Sequence, residues 1–342
     1  MKVYFPERIV GRHVGGNTTY ALKVRDGLTE LGVETGLIPS GGSAVRTMLS
    51  ETRFGRDTSV EGVLHYSADT GPLVKTRVPS IVTVHGVASR WTRVARSNAQ
   101  EYIWRTRVAR AIASTDRLIT VSHSAADDIA EVFGVDRATI DVIHHGIDTT
   151  QFAGHAQLSD ELAATLPPEF FLYLGNVEPR KNLVSLVRAF QQPELRDLGI
   201  PLVIAGRAAW NFEDSLAAIE AVDNVHYLGF VSDDDRRALM QKATAFLFPS
   251  LYEGFGFPVL EALSAGTPAI SSSKGSLAEV AGPAWVIDDL EPAGIAAAVV
   301  EAVGDSAWMA RVRVEGPEWV ERFKWSDSVN AHLDVYKKVA NA

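Results

Sequence analysis

The sequence predicts a parallel α/β protein made of two doubly wound sheets. Three observations carry that prediction. Short apolar runs alternate with helical segments along the whole chain, as parallel strands joined by crossover helices require. The chain has 342 residues, of which 46% are apolar, enough to fill two cores of ordinary size. One stretch, residues 148–168, breaks the alternation with a Pro-Pro pair and little strand character, so the boundary between the two halves is placed there.

In order along the chain, the first half offers strand candidates at residues 2–5, 33–38, 60–66, 80–84, 117–121 and 140–143. Each is rich in Val, Ile, Leu or aromatic residues and is bounded by polar or glycine-containing segments. The second half repeats the pattern at 170–174, 201–205, 224–228, 245–248, 267–271 and 284–287, and two amphipathic helices follow at 306–323 and 326–339. In open sheets of this kind ligands bind outside the carboxyl ends of the strands, so two such sheets facing each other would form an interdomain cleft.

Composition narrows the function. With 33 basic against 42 acidic residues the net charge is −9, which argues against general nucleic-acid binding. There is no cysteine, so disulfide and thiolate chemistry are excluded. No apolar run reaches the ~18 residues of a spanning helix, and the N-terminus enters a strand at once without a signal-peptide pattern. A soluble cytoplasmic protein is the expectation.

Four segments placed at strand ends carry chemistry. The most informative is FPSLYEGFGFPVLEALSAGTP, residues 248–268. A buried strand stops at Pro249, and Gly254 and Gly256 bracket Phe255 behind the carboxylate of Glu253. Phe257-Pro258 then opens a helix that carries a second carboxylate, Glu261. Free N–H groups at a helix start attract phosphates and hydroxyls, glycines allow close approach, and ionised acids accept hydrogen bonds from a polyhydroxylated ligand. A second segment, around Asn176 to Asn182, puts Arg180 and Lys181 at a strand-to-helix turn, where a planar fork and a compact charge would grip a diphosphate. The third, Gly15-Gly16-Asn17-Thr18-Thr19, is either a phosphate cradle or a glycine turn with an ordinary helix cap. The fourth, Thr83-Val84-His85-Gly86, ends a strand with a histidine able to bond a hydroxyl or move a proton.

These four segments, in this order and spacing, resemble glycosyltransferase family 4, the retaining sugar-nucleotide transferases of GT-B fold. Supporting phrases are VIHHGID at 142–148, YLGNVEPRKNL at 173–183, LVIAG at 202–206, LGFVSDDD at 228–235 and SLAEVAG at 276–282. The resemblance spans essentially the whole chain. It implies a first Rossmann-like domain over 1–165 on the acceptor side, a donor domain over 166–325, and a C-terminal helix, 326–342, packing back on the first domain. It further implies that Glu253 is the first acid of the family's E-x7-E motif, beside the transferred sugar. The N–H groups of Gly254, Phe255, Gly256 and Phe257 would meet sugar hydroxyls or phosphate oxygens, and Glu261 would hold the ribose. Arg180 and Lys181 would bind the diphosphate, with Gly15 and Gly16 closing over it. Gly206 and Val231 would belong to the donor site, the latter near the base. His85 matches a family histidine near the reacting centre.

The chain departs from the family pattern at three places. Asn176 stands where many members carry Arg, Gly86 where many carry Asp, and His144-His145 where Pro-Asn is frequent.

The expected activity is transfer of a hexose, with retention, from a nucleotide-diphosphate donor to a hydroxyl of a glycan or lipid-linked acceptor in polysaccharide or glycolipid assembly. GDP-mannose is favoured and UDP sugars come next. No cofactor or metal is expected, since Arg180 and Lys181 would do the electrostatic work of Mg²⁺. Whether Glu253 takes part in the chemistry or only positions the sugar stays open. The alternative is a sugar-nucleotide epimerase of the same fold. A Rossmann dehydrogenase is disfavoured because neither glycine turn reads G-x-G-x-x-G with an acid ~20 residues on.

Two patterns invite other readings. Asp233-Asp234-Asp235 looks like a metal-binding DxD motif, but it follows Ser232 and opens a helical run, where capping and dipole effects explain it. Seven arginines, at 90, 93, 96, 105, 107, 110 and 117, make Arg90 to Arg117 locally basic. That segment is either a solvated surface or a peripheral contact with anionic membrane.

Overall fold

The computed structural model describes residues 1–11, 15–91 and 98–341. The chain divides into two compact units, Met1–Arg90 with Arg96–Gly146 and Phe323–Ala342, and Ile147–Arg322.

In the first unit the strands are β1 (Lys2–Pro6), β2 (Glu34–Ile38), β3 (Val63–Tyr66), β4 (Ser80–Thr83), β5 (Arg117–Thr120) and β6 (Ile140–Val142). They form one parallel sheet in the order β2-β1-β3-β4-β5-β6. Its helices are α1 (Glu7–Val10), α2 (Gly16–Glu30), α3 (Ala44–Phe54), α4 (Asn98–Ser114) and α5 (His123–Phe133). In the second unit come α6 (Thr150–Ala153), α7 (Asp160–Thr165), β7 (Phe171–Leu174), α8 (Leu183–Ala189), α9 (Pro193–Leu198) and β8 (Leu202–Ala205). Then follow α10 (Glu213–Glu220), β9 (Val225–Gly229), α11 (Asp233–Lys242), β10 (Ala245–Phe248), α12 (Phe257–Ser264), β11 (Ala269–Ser272) and α13 (Leu277–Val280). The unit ends with β12 (Trp285–Ile287), α14 (Pro292–Gly304) and α15 (Ser306–Val320), and α16 (Trp325–Ala340) returns to the first unit. The second sheet is also parallel, in the order β12-β11-β10-β7-β8-β9.

Each expected strand run is a strand, because the central strands are buried on both faces and so read as unbroken apolar runs. β7 (FLYL), β8 (LVIA) and β10 (AFLF) are buried at every position. The strand order fixes where chemistry can sit. In the second sheet the chain runs outward from β7 through β8 to β9, then starts again beside β7 with β10. The point where the order reverses, between β7 and β10, opens a crevice at their carboxyl ends. In the first sheet the reversal lies between β1 and β3.

The division falls at Gly146/Ile147 and not at the expected 165/166. The cause is local: Gln241 on α11 donates to the carbonyls of Phe152 (2.8 Å) and Gly154 (2.6 Å) and accepts from the Ala156 N–H (3.0 Å). The Ser159 N–H donates to Asp235 (2.7 Å), so the whole connecting segment is fastened to the second unit. The return point lies likewise at Arg322/Phe323, before the expected residue 326.

Within the first unit α16 packs against α2, and Val329, Val335, Tyr336 and Val339 share a core with Val3, Phe5, Tyr20, Val24 and Val63. Through that core runs a polar chain whose proton positions are dictated by one carbonyl. His332 Nδ1 lies 2.7 Å from the Ser328 carbonyl, which can only accept, so Nδ1 carries the proton and Nε2 accepts. Tyr20 therefore donates to His332 Nε2 (2.6 Å), Thr83 donates to the Tyr20 oxygen (2.9 Å) and His65 Nε2 donates to Thr83 (2.7 Å). Tyr336 completes the chain by donating to His65 Nδ1 (2.8 Å). Both imidazoles are neutral. Burial is the main cause, driving His65 well below 6.5 and His332 down to about 4.

A histidine whose folded pKa lies below its unfolded value binds fewer protons folded than unfolded between the two values. Its stabilisation is complete above pH 6.5 and is lost as pH falls toward about 4. Unfolding by urea at a series of pH values should show stability declining across that window, by roughly 3 kcal/mol from His332 alone. Tyr336→Phe leaves His65 Nδ1 without its donor and should cost about 1–3 kcal/mol at neutral pH in the same measurement.

Candidate active site

The reversal point of the second sheet gathers four charged side chains. β7 ends at Leu174, and the chain reaches a 3₁₀ turn, Pro179–Lys181, that presents Glu178, Arg180 and Lys181. β10 ends at Phe248, and five residues on stands Glu253. Lys181 Nζ meets Glu253 Oε1 at 2.6 Å, and Arg180 Nη1 meets Glu253 Oε2 at 2.7 Å. The other Arg180 nitrogen, Nη2, lies 2.5 Å from Glu178 Oε1. Arg180 also donates to the Tyr252 carbonyl (2.7 Å), and the Leu251 N–H donates to the Arg180 carbonyl (2.9 Å), tying the two loops together. Lys181 sits 4.7 Å from the Phe248 ring centroid, a cation–π contact.

Backbone geometry holds Glu253 in place. Its carbonyl accepts from the Ser276 N–H (3.0 Å) and hydroxyl (3.1 Å). Gly275 runs alongside at φ +64, and a Cβ there would come within 2.4 Å of the Glu253 carbonyl. Only glycine fits that approach. This explains why the SLAEVAG phrase follows its glycine directly.

Glu253, Lys181 and Glu178 are buried, with Glu253 only 6% exposed. Burial alone would raise the Glu253 pKa, but Arg180 and then Lys181 outweigh it and hold the carboxyl down to about 2. Burial lowers Lys181, with Glu253 opposing, while the two carboxylates hold Arg180 above its ordinary value. Glu178, Arg180, Lys181 and Glu253 thus form a neutral quartet, two charges of each sign.

Glu261, on α12, pairs with Arg236 of α11 through Oε1, while its other oxygen, Oε2, is buried without a partner among the described residues. Gly256 caps α12 at φ 101, Phe255 is buried against Phe257 (ring centroids 5.2 Å), and Gly254 and Phe257 are half-buried. Gly206 follows β8 at φ +147; a Cβ there would lie 1.8 Å from the Gly175 carbonyl, so backbone packing accounts for this glycine without any ligand. Val231 is half-buried just after β9, next to Phe230. Phe230 is 64% exposed, and the Arg207 guanidinium lies 4.0 Å over its ring.

In the first unit Gly15 caps α2 at φ 126, and among the described residues nothing lies within 4 Å of where a Cβ would stand on it or on Gly16. His85 follows β4; its N–H donates to Asp69 (2.8 Å) and its Nε2 donates to the Ser67 carbonyl (3.0 Å), leaving Nδ1 as an acceptor. Its ring packs edge-on against Tyr20 at 4.9 Å.

Sequence reasoning singled out Arg180, Lys181 and Glu253, which lie in direct contact. It passed over Glu178 and Arg236, the partners of Arg180 and Glu261. Glu178 stood inside a quoted phrase and Arg236 directly after one, but a partner relation across the fold leaves no mark on spacing. Two of the three consecutive acids have local partners. Ser232 and Asp235 exchange hydrogen bonds (3.0 and 2.8 Å), Asp235 accepts from Ser159, and Asp234 pairs with Arg237. The adjacent histidines diverge, His144 toward His123 and Phe323, His145 toward Tyr20, His85 and Trp325.

Comparison with known proteins agrees with this fold. A family model described as "Glycosyl transferases group 1" matches residues 156–315, and one described as "Glycosyltransferase Family 4" matches residues 60–151. The O-antigen chain mannosyltransferase B of Escherichia coli is 33% identical over 49% of this chain and 45% of its own length. The glycogen synthase of Mycobacterium tuberculosis is 31% identical over 76% of this chain and 63% of its own. The chain therefore spans less than two thirds of these relatives. Among solved structures, sucrose-phosphate synthase from Thermosynechococcus elongatus superposes with a TM-score of 0.76 at 17% identity, covering 99% and 98% of the two chains. Anabaena Alr3699/HepE in complex with UDP-glucose superposes with a TM-score of 0.74 at 15% identity, covering 100% of each. The chain belongs to the family 4 glycosyltransferases and has the GT-B fold.

Glu253→Ala leaves two buried cations facing Glu178 alone and should destabilise the protein by about 3–5 kcal/mol in chemical unfolding. Asp234→Ala, on an exposed helix end, should stay within ~0.5 kcal/mol of wild type in the same assay.

Proposed function

We propose that the protein transfers a hexose from a nucleotide-diphosphate donor to a hydroxyl of a glycan or lipid-linked acceptor. The observation that carries this reading is the buried Arg180–Lys181–Glu253 contact at the reversal point of the second sheet. A donor brings both halves that this cluster lacks. Its diphosphate takes the hydrogen bonds of Arg180 and Lys181, and its sugar hydroxyls donate to the Glu253 carboxylate that those cations release. A nucleoside diphosphate alone would leave Glu253 unpaired, so the cluster discriminates in favour of the intact donor. As the glycosidic bond breaks, charge builds on the leaving diphosphate, and the two preorganised cations stabilise it.

Glu253 positions the sugar by accepting from its hydroxyls. The leaving phosphate takes the acceptor proton, consistent with departure and attack on one face of the sugar and retention of configuration. His85, with Nδ1 available, would bond a sugar or acceptor hydroxyl. The unpartnered Glu261 Oε2 would accept from ribose hydroxyls. The exposed Phe230 ring, with Arg207 stacked on it, offers a platform for the base.

For the donor, the similarity to an O-antigen mannosyltransferase supports GDP-mannose, and the fold shared with a UDP-glucose complex keeps UDP-glucose next. Polysaccharide or glycolipid assembly is the corresponding role.

Calorimetric titration with GDP-mannose, UDP-glucose and their free nucleotides should show one intact donor binding more tightly than its nucleotide. Lys181→Ala should lower transfer at least a hundredfold; transfer at the wild-type rate would refute the diphosphate assignment. Phe230→Ala should weaken donor binding roughly tenfold. In Glu253→Ala the free nucleoside diphosphate should raise the melting temperature more than it does in wild type, because it neutralises the exposed pair of cations.

A further inference from the structure

The arginine-rich stretch that the sequence brings forward is largely engaged within its own unit. Arg90 pairs with Asp128 and Glu131, Arg105 with Glu101, and Arg117 with both oxygens of Asp141. Arg93 and Arg96 lie outside the described residues. Arg107, on α4, is different. It is half-buried, yet among the described residues it makes no ion pair or hydrogen bond. The next residue, Val108, shares a core with Tyr66 of β3 and Phe54 of α3. Two charged side chains of the same unit act on Arg107 electrostatically, Arg8 and Glu51. Burial and then Arg8 push it below its ordinary value, and Glu51 offsets them only in part.

Arg8, two residues past β1, donates to Glu51 Oε1 (2.7 Å) and to the hydroxyl of Thr70 (2.8 Å), which lies four residues past β3. Tyr66, the last residue of β3, donates to the Glu51 carbonyl (3.1 Å). Glu51 is 1% exposed, and its other oxygen, Oε2, is buried with no hydrogen-bond partner among the described residues. Such an oxygen calls for a donor. The other acids of these segments are turned elsewhere. Glu7 accepts from Ser40 (3.0 and 2.7 Å), Asp69 from the His85 N–H (2.8 Å) and Glu101 from Arg105 (2.6 Å). Two guanidiniums therefore meet one carboxylate, which leaves one positive charge unbalanced and one acceptor oxygen unfilled. Both lie by the reversal point between β1 and β3, where sheets of this kind take their ligands.

We propose, resting on the transferase reading, that this crevice binds the acceptor and that the acceptor is an acidic sugar or polyol, with one anionic group on Arg107 and Arg8 and a neighbouring hydroxyl donating to Glu51 Oε2. A guanidinium fork takes either a carboxylate or a phosphate ester. A neutral sugar would leave the excess charge unbalanced, and a bare anion would leave Glu51 Oε2 unfilled. The ligand that satisfies both carries its charge and its hydroxyl side by side.

The test is calorimetric titration of the full chain with glucuronate, glucose 6-phosphate, glucose, acetate and inorganic phosphate. At least one acidic sugar should bind roughly tenfold more tightly than glucose and than its own bare anion. Binding of glucuronate alone would identify a carboxylate, and binding of the sugar phosphate alone a phosphate ester. Arg107→Gln should weaken that binding roughly tenfold, with circular dichroism and binding of GDP-mannose or UDP-glucose as in wild type. Binding of neither acidic sugar would overturn the proposal, as would equal binding of glucose or of the bare anion. So would binding that Arg107→Gln leaves unchanged and Lys181→Ala abolishes, which would place the ligand in the donor cluster. A wild-type protein that binds an acidic sugar through Arg107 but neither donor would keep the site and refute the transferase reading.

Discussion

The Glu253 carboxylate held between Arg180 and Lys181 is the contact around which the second unit is arranged. Four charges this far from solvent are tolerable only when each faces an opposite one. Neutrality of the quartet therefore constrains everything nearby. The 3₁₀ turn at Pro179–Lys181 aims both cations at β10, the Tyr252 carbonyl fixes the guanidinium, and Gly275 with Ser276 fixes the backbone of Glu253. The strand order supplies the place, because β7 and β10 are the neighbours whose connections leave in opposite directions.

The first unit solves a similar problem with neutral groups. Its central polar residues, Tyr20, His65, Thr83, His332 and Tyr336, are buried as deeply as the quartet but carry no charge. One backbone carbonyl orients five hydrogen bonds in sequence, so no member needs a counter-ion. His85 packs on the edge of this network through Tyr20, and the neutral, oriented tyrosine gives that histidine a fixed wall.

The strands were legible because parallel strands covered on both faces must be continuously apolar, as FLYL and AFLF are. The residues of the quartet were legible where type and spacing both marked them, as for Arg180-Lys181 and the Glu253–Glu261 interval. Glu178 was not, because its role is defined by a guanidinium that only the folded turn brings to it. Arg236 and Glu261 are 25 positions apart, and nothing in either helix announces the pair. Within the arginine-rich stretch, Arg90 and Arg117 engage acids of α5 and β6, which arginine density alone does not reveal. The unit boundary shifted for the same reason, since Gln241 binds a segment far upstream that local composition marks only as loop.

The return of α16 also sets an order of assembly. Every strand of the second sheet lies within one continuous stretch, Ile147–Arg322. The first unit is not complete until Val329, Val335, Tyr336 and Val339 are available to its core. During synthesis its sheet would wait, with one face uncovered, until the last helix leaves the ribosome, while the unit translated later closes first. Loss of the final helix would thus be felt at the opposite end of the sequence, in the strand that begins at Lys2.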